Sequence, residues 1–440
     1  MRNRANRRGS RIVATAALAL AAVAFMPGCR RGDTGALPPR SSTPPQAAGP
    51  ALDVREVESP AGADSREPEL FATQDGRVIL SWVEKIGEKR YALRFAARDG
   101  AGWSEARTAA EGDNWFVNWA DFPSVIALGD GSLAAHWLVK SGPGVYAYNV
   151  NVARSKDAGT TWGKPVIPHT DHTQTEHGFV SLIPLPDGRV GAVWLDGRNL
   201  KDVKEEEEEK GPLPVSMTLR YAAVDAEGRL YDEAQLDERV CECCQTSAAL
   251  TSEGPVAVYR DRSEAEVRDI YIVRRQGDAW SAPRPVYADN WQIQGCPVNG
   301  PSVAADGRRV VVAWFTGAGD ASRVKVAFSD DAGATFGSPV QVEDGDATGR
   351  VDVLLMPDGS ALVCWMSGTA EGGAIKARRV RPDGALGPVS VVAKTDVSRS
   401  SGFPRMARAG EDIYFAWTEF AKPTRVRTAT TSSPTGIWER

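Results

Sequence analysis

PELFATQDGRVILSW, residues 68–82, reads as one hairpin: an apolar strand, a turn at Asp75-Gly76, and a second apolar strand that stops on Trp82. An Asp-Gly pair between apolar runs is a strong hairpin signal. The same unit recurs as PSVIALGDGSLAAHW (123–137), FVSLIPLPDGRVGAVW (179–194), SAALTSEGPVAVY (247–259), PSVAADGRRVVVAW (301–314), VDVLLMPDGSALVCW (351–365) and PRMARAGEDIYFAW (404–417). Its closing aromatics are Trp82, Trp137, Trp194, Tyr259, Trp314, Trp365 and Trp417, at intervals of 51 to 65 residues. A third alternating strand follows most units, as in YALRFAAR (91–98), YNVNVARS (148–155) and VKVAFS (324–329), and a short fourth one follows some, as in PVQV (339–342). Four antiparallel strands repeated at this period describe an all-β propeller of four-stranded blades. Seven units are present. The last lacks a fourth strand, and LDVREVES (52–59) is placed to supply it, which would close the ring with both ends of the chain and leave few free edges. Two stacked β-sandwiches are the rival, but spacing this even across the whole head disfavours them.

The composition agrees. Of 440 residues, 42% are hydrophobic and 25% charged, as in ordinary globular proteins. The 43 glycines and 28 prolines suit many turns. A net charge of −5 argues against a nucleic-acid partner, which calls for a basic surface.

The first residues carry Arg2, Arg4, Arg7, Arg8 and Arg11 and no acid, followed by the apolar run Ile12–Phe25. A basic flank and a short apolar core make an export signal, and the run is shorter than the ~20 residues a spanning helix needs. Met26-Pro27-Gly28-Cys29 resembles a bacterial lipobox, which implies cleavage after residue 28 and lipidation of Cys29. Plain secretion and an uncleaved anchor are the alternatives. Arg30 lacks the acidic mark of inner-membrane retention, so attachment to the outer membrane, periplasmic or at the cell surface, is expected. Cleavage takes five arginines from 52 basic residues and none from 57 acidic ones, leaving a net charge of about −10. Residues 29–51 are rich in Pro, Ser, Gly and Ala and read as a tether; residues 52–440 form the head.

Ser155-Lys156-Asp157-Ala158-Gly159-Thr160-Thr161-Trp162 and Ser329-Asp330-Asp331-Ala332-Gly333-Ala334-Thr335-Phe336 share the pattern Ser-x-Asp-x-Gly-x-x-aromatic. This resembles the Asp box of bacterial sialidases and related propellers. In that motif the Asp takes hydrogen bonds across a turn, the Gly supplies positive φ and the aromatic packs between strands. The resemblance covers about residues 52–440. It implies a sialidase-type propeller with its Asp boxes on the face opposite the ligand, although that family has six blades, one fewer than the units here.

The ligand face of a propeller is built from loops entering the innermost strands and loops leaving the second strands. The entering loops hold Arg66-Glu67-Pro68, Asn118 to Asp121, Thr175 to Gly178, Cys241 to Gln245, Gly295 to Asn299, Gly349 to Asp352, and Arg399. The leaving loops hold Asp196-Gly197-Arg198 and Arg260-Asp261-Arg262. Sialidase chemistry needs guanidinium forks for a substrate carboxylate, a Tyr–Glu nucleophile pair and an acid/base carboxyl. Arg66 looks like the first arginine of the sialidase Arg-Ile-Pro motif, with Glu67 in place of Ile. Arg198, Arg260 and Arg350 are placed to complete a cluster, with Asn299 as a further substrate contact. Asp121 and Glu176 are the expected proton-transfer groups. No Tyr stands where the nucleophile is expected, and Tyr259 reads as packing. The resemblance thus implies an exported propeller that binds or hydrolyses an anionic glycan. A noncatalytic propeller binding a glycan or protein is the alternative.

Cys364 lies in an apolar strand and reads as a small buried hydrophobe. Cys241, Cys243, Cys244 and Cys296 read first as disulfides, Cys241–Cys244 or Cys243–Cys296, since the head is exported. The rival is a thiolate site for copper or zinc with His177 as a further ligand. His136, in a strand, reads as structural, and His169 and His172 read as surface residues. The run Glu205–Glu209 reads as a solvated loop.

Overall fold

The computed structural model describes residues 50–100, 102–203, 215–369 and 372–432. The export signal, Cys29, the tether up to residue 49 and the run Glu205–Glu209 lie outside them. The described chain forms seven separate antiparallel sheets, each beginning with one of the repeat units. It is a β-propeller. From the first blade to the seventh the innermost strands are Ser65–Ala72, Ser124–Ala127, His177–Pro184, Ser247–Thr251, Ser302–Asp306, Ala347–Leu355 and Arg405–Ala409. Each pairs with the second strand of its own hairpin, from Val78–Lys85 in the first blade to Asp412–Glu419 in the seventh. In the second blade an isolated bridge between Val152 and Val166 stands in the place of a fourth strand.

The ring closes as the repeat requires. Arg55–Val57 pairs antiparallel with Arg425–Ser432, so the seventh blade takes its outer strand from the start of the head. The core lies between blades. One apolar cluster joins Leu70 and Trp82 of the first blade to Ala407 and Ala416 of the seventh; another joins Ile183 and Val193 of the third to Ala257 and Tyr259 of the fourth. Every other junction has a cluster of its own. The seven closing aromatics are all buried within them. Tyr259 is packed in this way, with its hydroxyl on Asp237, as the sequence suggests.

Polar contacts sew the same junctions near the axis. Backbone N–H groups of Val125, Phe179, Val303, Val353, Met406 and Glu67 donate to Ser81, Asp121, Ser247, Ser302, Asp352 and Thr418 of the adjoining blade, at 2.7–3.2 Å. At the junction of the third and fourth blades, Thr246 donates to the Phe179 carbonyl at 2.7 Å. Three inner strands begin with a β-bulge, and Glu67, Phe179 and Arg350 sit there at φ of 56°, 52° and 54°. A bulge turns one N–H out of its own ladder. In each case a neighbouring side chain takes it: Thr418, Asp121 and Asn299.

The two Ser-x-Asp-x-Gly turns have matching geometry. Asp157 accepts from the Thr161 N–H at 2.8 Å, and Asp331 from the Thr335 N–H at 2.7 Å. Trp162 packs edge-on against Phe95 of the first blade. These local hydrogen bonds hold both carboxylates at about 2, below their ordinary range.

Deleting residues 52–59 is expected to expose the Arg425–Ser432 edge. The unfolding midpoint should fall, and amide exchange should quicken first in that strand. Unchanged protection there would show that the added strand does not close the ring.

Candidate functional site

The leading ends of the inner strands meet around the axis. Trp119 of the second blade's entering loop stacks on Phe403 of the seventh at 5.9 Å. The Arg350 guanidinium of the sixth blade lies over Trp119 at 4.8 Å. Gln245 of the fourth blade donates across to the Ala120 carbonyl at 2.7 Å. Loops far apart in the chain are therefore one surface, with an aromatic centre.

Beside it, at the junction of the second and third blades, Asp121 and Glu176 come together. The group that joins them is Tyr148, at the start of the strand Tyr148–Ser155. Its hydroxyl lies 2.8 Å from Asp121 Oδ2 and 2.7 Å from Glu176 Oε1. Phe116 stacks on the Tyr148 ring at 3.9 Å and 10°. Tyr148 and Asp121 are both buried. Burial lifts Asp121 to about 7, against the opposing hydrogen bonds from Tyr148 and the Phe179 N–H. Burial, then the two carboxylates, pushes the Tyr148 phenol well above its usual value. Gly178 makes room for this group. A Cβ there would overlap Asp121 Oδ2 and come within 2.8 Å of the Tyr148 hydroxyl.

Next to Asp121 the sequence expectation also missed Glu67. Its carboxyl is buried, and its Oε2 has no hydrogen-bond partner. Burial raises it well above the ordinary carboxylate range, opposed by Arg66 and reinforced by Asp121. The available signal was an acid at the bulged start of an inner strand. Tyr148 gave no such signal, because the strand pattern accounts for it as packing.

The four expected arginines do not share one ligand position. Arg66 keeps a buried Nε without a hydrogen-bond partner. Arg198 is engaged by Asp196, Nε to Oδ1 at 2.7 Å, and lies 3.5 Å from Asp171. Arg260 is fully buried and donates to the carbonyls of Asn299, Arg268 and Phe315. Arg350 donates to the carbonyls of Ser398 and Gly402; burial and then Arg399 lower it to about 10. Asn299 is also occupied: its Oδ1 accepts from the Arg350 N–H and its Nδ2 donates to Pro297 and Thr348 carbonyls. Arg260, Arg350 and Asn299 hold loops together.

Two groupings of possible metal ligands are present among the described residues: Cys241, Cys243 and Cys244, and His169, Asp171 and His177. His177 therefore stands with acids of the third blade and not with the thiols. Its ring stacks on His169 at 3.8 Å and 2°, which puts His169 in a buried cluster and not on the surface. Asp171 accepts from His169 at 3.0 Å and from His177 at 3.2 Å. Burial alone would raise Asp171; the hydrogen bonds from His169, His177 and Thr173 overcome it and hold the group well below the carboxylate range. The expected disulfides are not formed. Cys241 and Cys244 are free thiols with sulfurs 3.3 Å apart, and Cys243 and Cys296 are free as well. Cys364 is free and buried, as expected.

No protein-family model and no curated protein sequence matches the chain. Several solved structures resemble it. A Dyadobacter fermentans protein of unknown function is 14% identical, with a TM-score of 0.49 over 87% of this chain and 99% of that one. The polysaccharide lyase Uly1 is 9% identical, with a TM-score of 0.49 over 84% and 90%. The NanB sialidase from Streptococcus pneumoniae is 12% identical, with a TM-score of 0.43 over 87% and 71%. Identities of this size carry no chemistry from one chain to another.

The state of Asp121 can be tested through stability. A folded pKa raised from 3.8 to about 7 means that the folded state binds the proton more tightly than the unfolded one. Stability should therefore decline as pH rises from about 4 to about 7 and level off above. In Asp121→Asn this slope should shrink, as read by denaturant midpoints across that range. It should not vanish, because Glu69 and Asp261 are also raised by burial to about 7. An unchanged slope would show that Asp121 does not titrate there.

Proposed function

We propose that this propeller binds and hydrolyses an anionic glycan, with Tyr148 and Glu176 as the nucleophile pair and Asp121 as the acid/base. The observation that carries the reading is the Tyr148 hydroxyl held between two carboxylates within 2.8 Å. Tyrosine is the nucleophile of sialidases, an exception among glycosidases. A neighbouring carboxylate is needed to take the phenol proton during attack. An acid raised to about 7 is still partly protonated at neutral pH and can protonate a leaving oxygen. Arg66, with an unused donor and next in the chain to Glu67, whose carboxyl lies by Asp121, is the arginine we assign to a substrate carboxylate. Arg198 remains a second candidate if a ligand displaces its contact with Asp171. The sialidase-like Ser-x-Asp-x-Gly turns lean the same way.

One observation favours binding without turnover: Tyr148 has no exposed surface, so a substrate must displace its cover before attack. The proposal also includes export and anchoring through a lipid on Cys29, which would present this face outside the cytoplasm.

Release of a fluorescent alcohol from α-sialosides and β-uronides separates the readings. Turnover is expected, with kcat reduced about 10²–10⁴-fold in Tyr148→Phe or Asp121→Asn and KM raised in Arg66→Ala. Activity should fall as pH rises past about 7, where Asp121 loses its proton. Saturable binding of the same glycans without product, unchanged in Tyr148→Phe, would replace hydrolysis with recognition.

A further inference from the structure

The strongest chemistry that the glycan reading leaves unused lies at the junction of the fourth and fifth blades. The sulfurs of Cys241, Cys243 and Cys244 all lie within 4.8 Å of one another. Cys241 is 3.3 Å from Cys244 and 3.8 Å from Cys243. Cys296, exposed in the fifth blade's entering loop, lies near Cys243 but outside the tight trio. Four thiolates at about 2.3 Å from one tetrahedral ion stand about 3.8 Å apart. The Cys241–Cys243 pair already has that spacing, at 3.8 Å, and the Cys241–Cys244 pair, at 3.3 Å, is somewhat tighter.

The surroundings suit bound thiolates. Arg268 donates to the Cys241 sulfur at 3.2 Å, and the Asn299 N–H donates to the Cys244 sulfur at 3.4 Å. Arg268 is fixed in turn by Glu266 at 2.8 Å, and Arg262 bridges Glu242 and Glu266. Outer hydrogen bonds of this kind orient ligands and stabilise their charge. Arg262 and Arg268 are paired with Glu242 and Glu266, and the Arg260 guanidinium lies near enough to Cys244 to favour its thiolate. The histidine grouping differs in character: Asp171 is taken by both rings, and of the ring nitrogens only His169 Nε2 is left without a partner.

We propose that Cys241, Cys243, Cys244 and Cys296 bind one thiophilic d10 cation, zinc(II) or copper(I), that clamps the entering loops of the fourth and fifth blades. The clamp bears on the axial surface. Gln245, next to Cys244, reaches the Ala120 carbonyl and takes the Gly300 N–H at 3.0 Å. Asn299, bound to the Cys244 sulfur, holds the Arg350 N–H at 2.7 Å. The proposal stands whether or not the face hydrolyses glycans.

The test uses the full chain purified without oxygen from cells supplied with zinc or with copper. Elemental analysis and a thiol count in denaturant are run together. About one equivalent of either ion per chain is expected, with the four thiols protected until a chelator is added. Cobalt(II) added to the metal-free chain should give thiolate charge-transfer absorption that Cys243→Ser loses. Arg268→Ala should keep the thiols and weaken zinc or copper(I) affinity about 10–100-fold. If the variants fail to fold, the metal content and thiol count of the unaltered chain decide. A chain without stoichiometric metal, its thiols either free or paired as disulfides, overturns the proposal, and the glycoside assay does not enter that outcome.

Discussion

A side-chain oxygen of one blade holding a backbone N–H of the next is the contact on which the ring depends. Apolar burial supplies the larger share of stability, but it is non-directional and would tolerate sliding of one sheet over another. A buried N–H left without an acceptor costs about 1–3 kcal/mol. Ser81, Asp121, Ser247, Ser302, Asp352 and Thr418 each meet that demand across a junction. Small or short polar side chains at the leading ends therefore set the angle between sheets, while aromatics farther along fill the space. The bulges at Glu67, Phe179 and Arg350 belong to the same device, since they free the N–H that the neighbour grips.

This constraint explains why several polar residues of the axial surface serve architecture. Asn299 and the guanidiniums of Arg260 and Arg350 are spent on backbone groups. Asp121 has both duties. One of its oxygens holds the Phe179 N–H and the other meets the Tyr148 hydroxyl. Stitching keeps the carboxyl buried, and burial is what raises its pKa towards neutrality. A junction built for rigidity thus places a weak acid beside a phenol. The cost of burying Glu67 with an unpartnered oxygen is borne in the same neighbourhood.

The thiols and the imidazoles illustrate how blades sort chemistry. Cys241 to Cys244 and Cys296 come from consecutive entering loops, so adjacent blades bring them together. His177 enters one blade earlier and turns towards Asp171 and Asp196 instead. In a propeller, a residue's neighbours follow from blade order and from its height along the inner strand. Distance in sequence says little.

The amino-acid sequence alone determined the parts whose causes are local. Asp-Gly turns, alternating strands and closing aromatics are read within a few residues, and their repetition counted seven blades and foresaw the added strand at Arg55–Val57. Asp121 and Glu176 stand out in the sequence as acids at the leading ends of two inner strands, and the structure brings both to the Tyr148 hydroxyl. Only the tertiary structure decided that Tyr148, on an outer strand, joins them, that Arg66 alone of four arginines keeps a free buried donor, and that His177 belongs with acids and not sulfur. These partners lie on other strands or loops, from six residues away for His177 and Asp171 to 28 for Tyr148 and Glu176. Which partner wins is settled by the packing angle between sheets, and no window of sequence contains it.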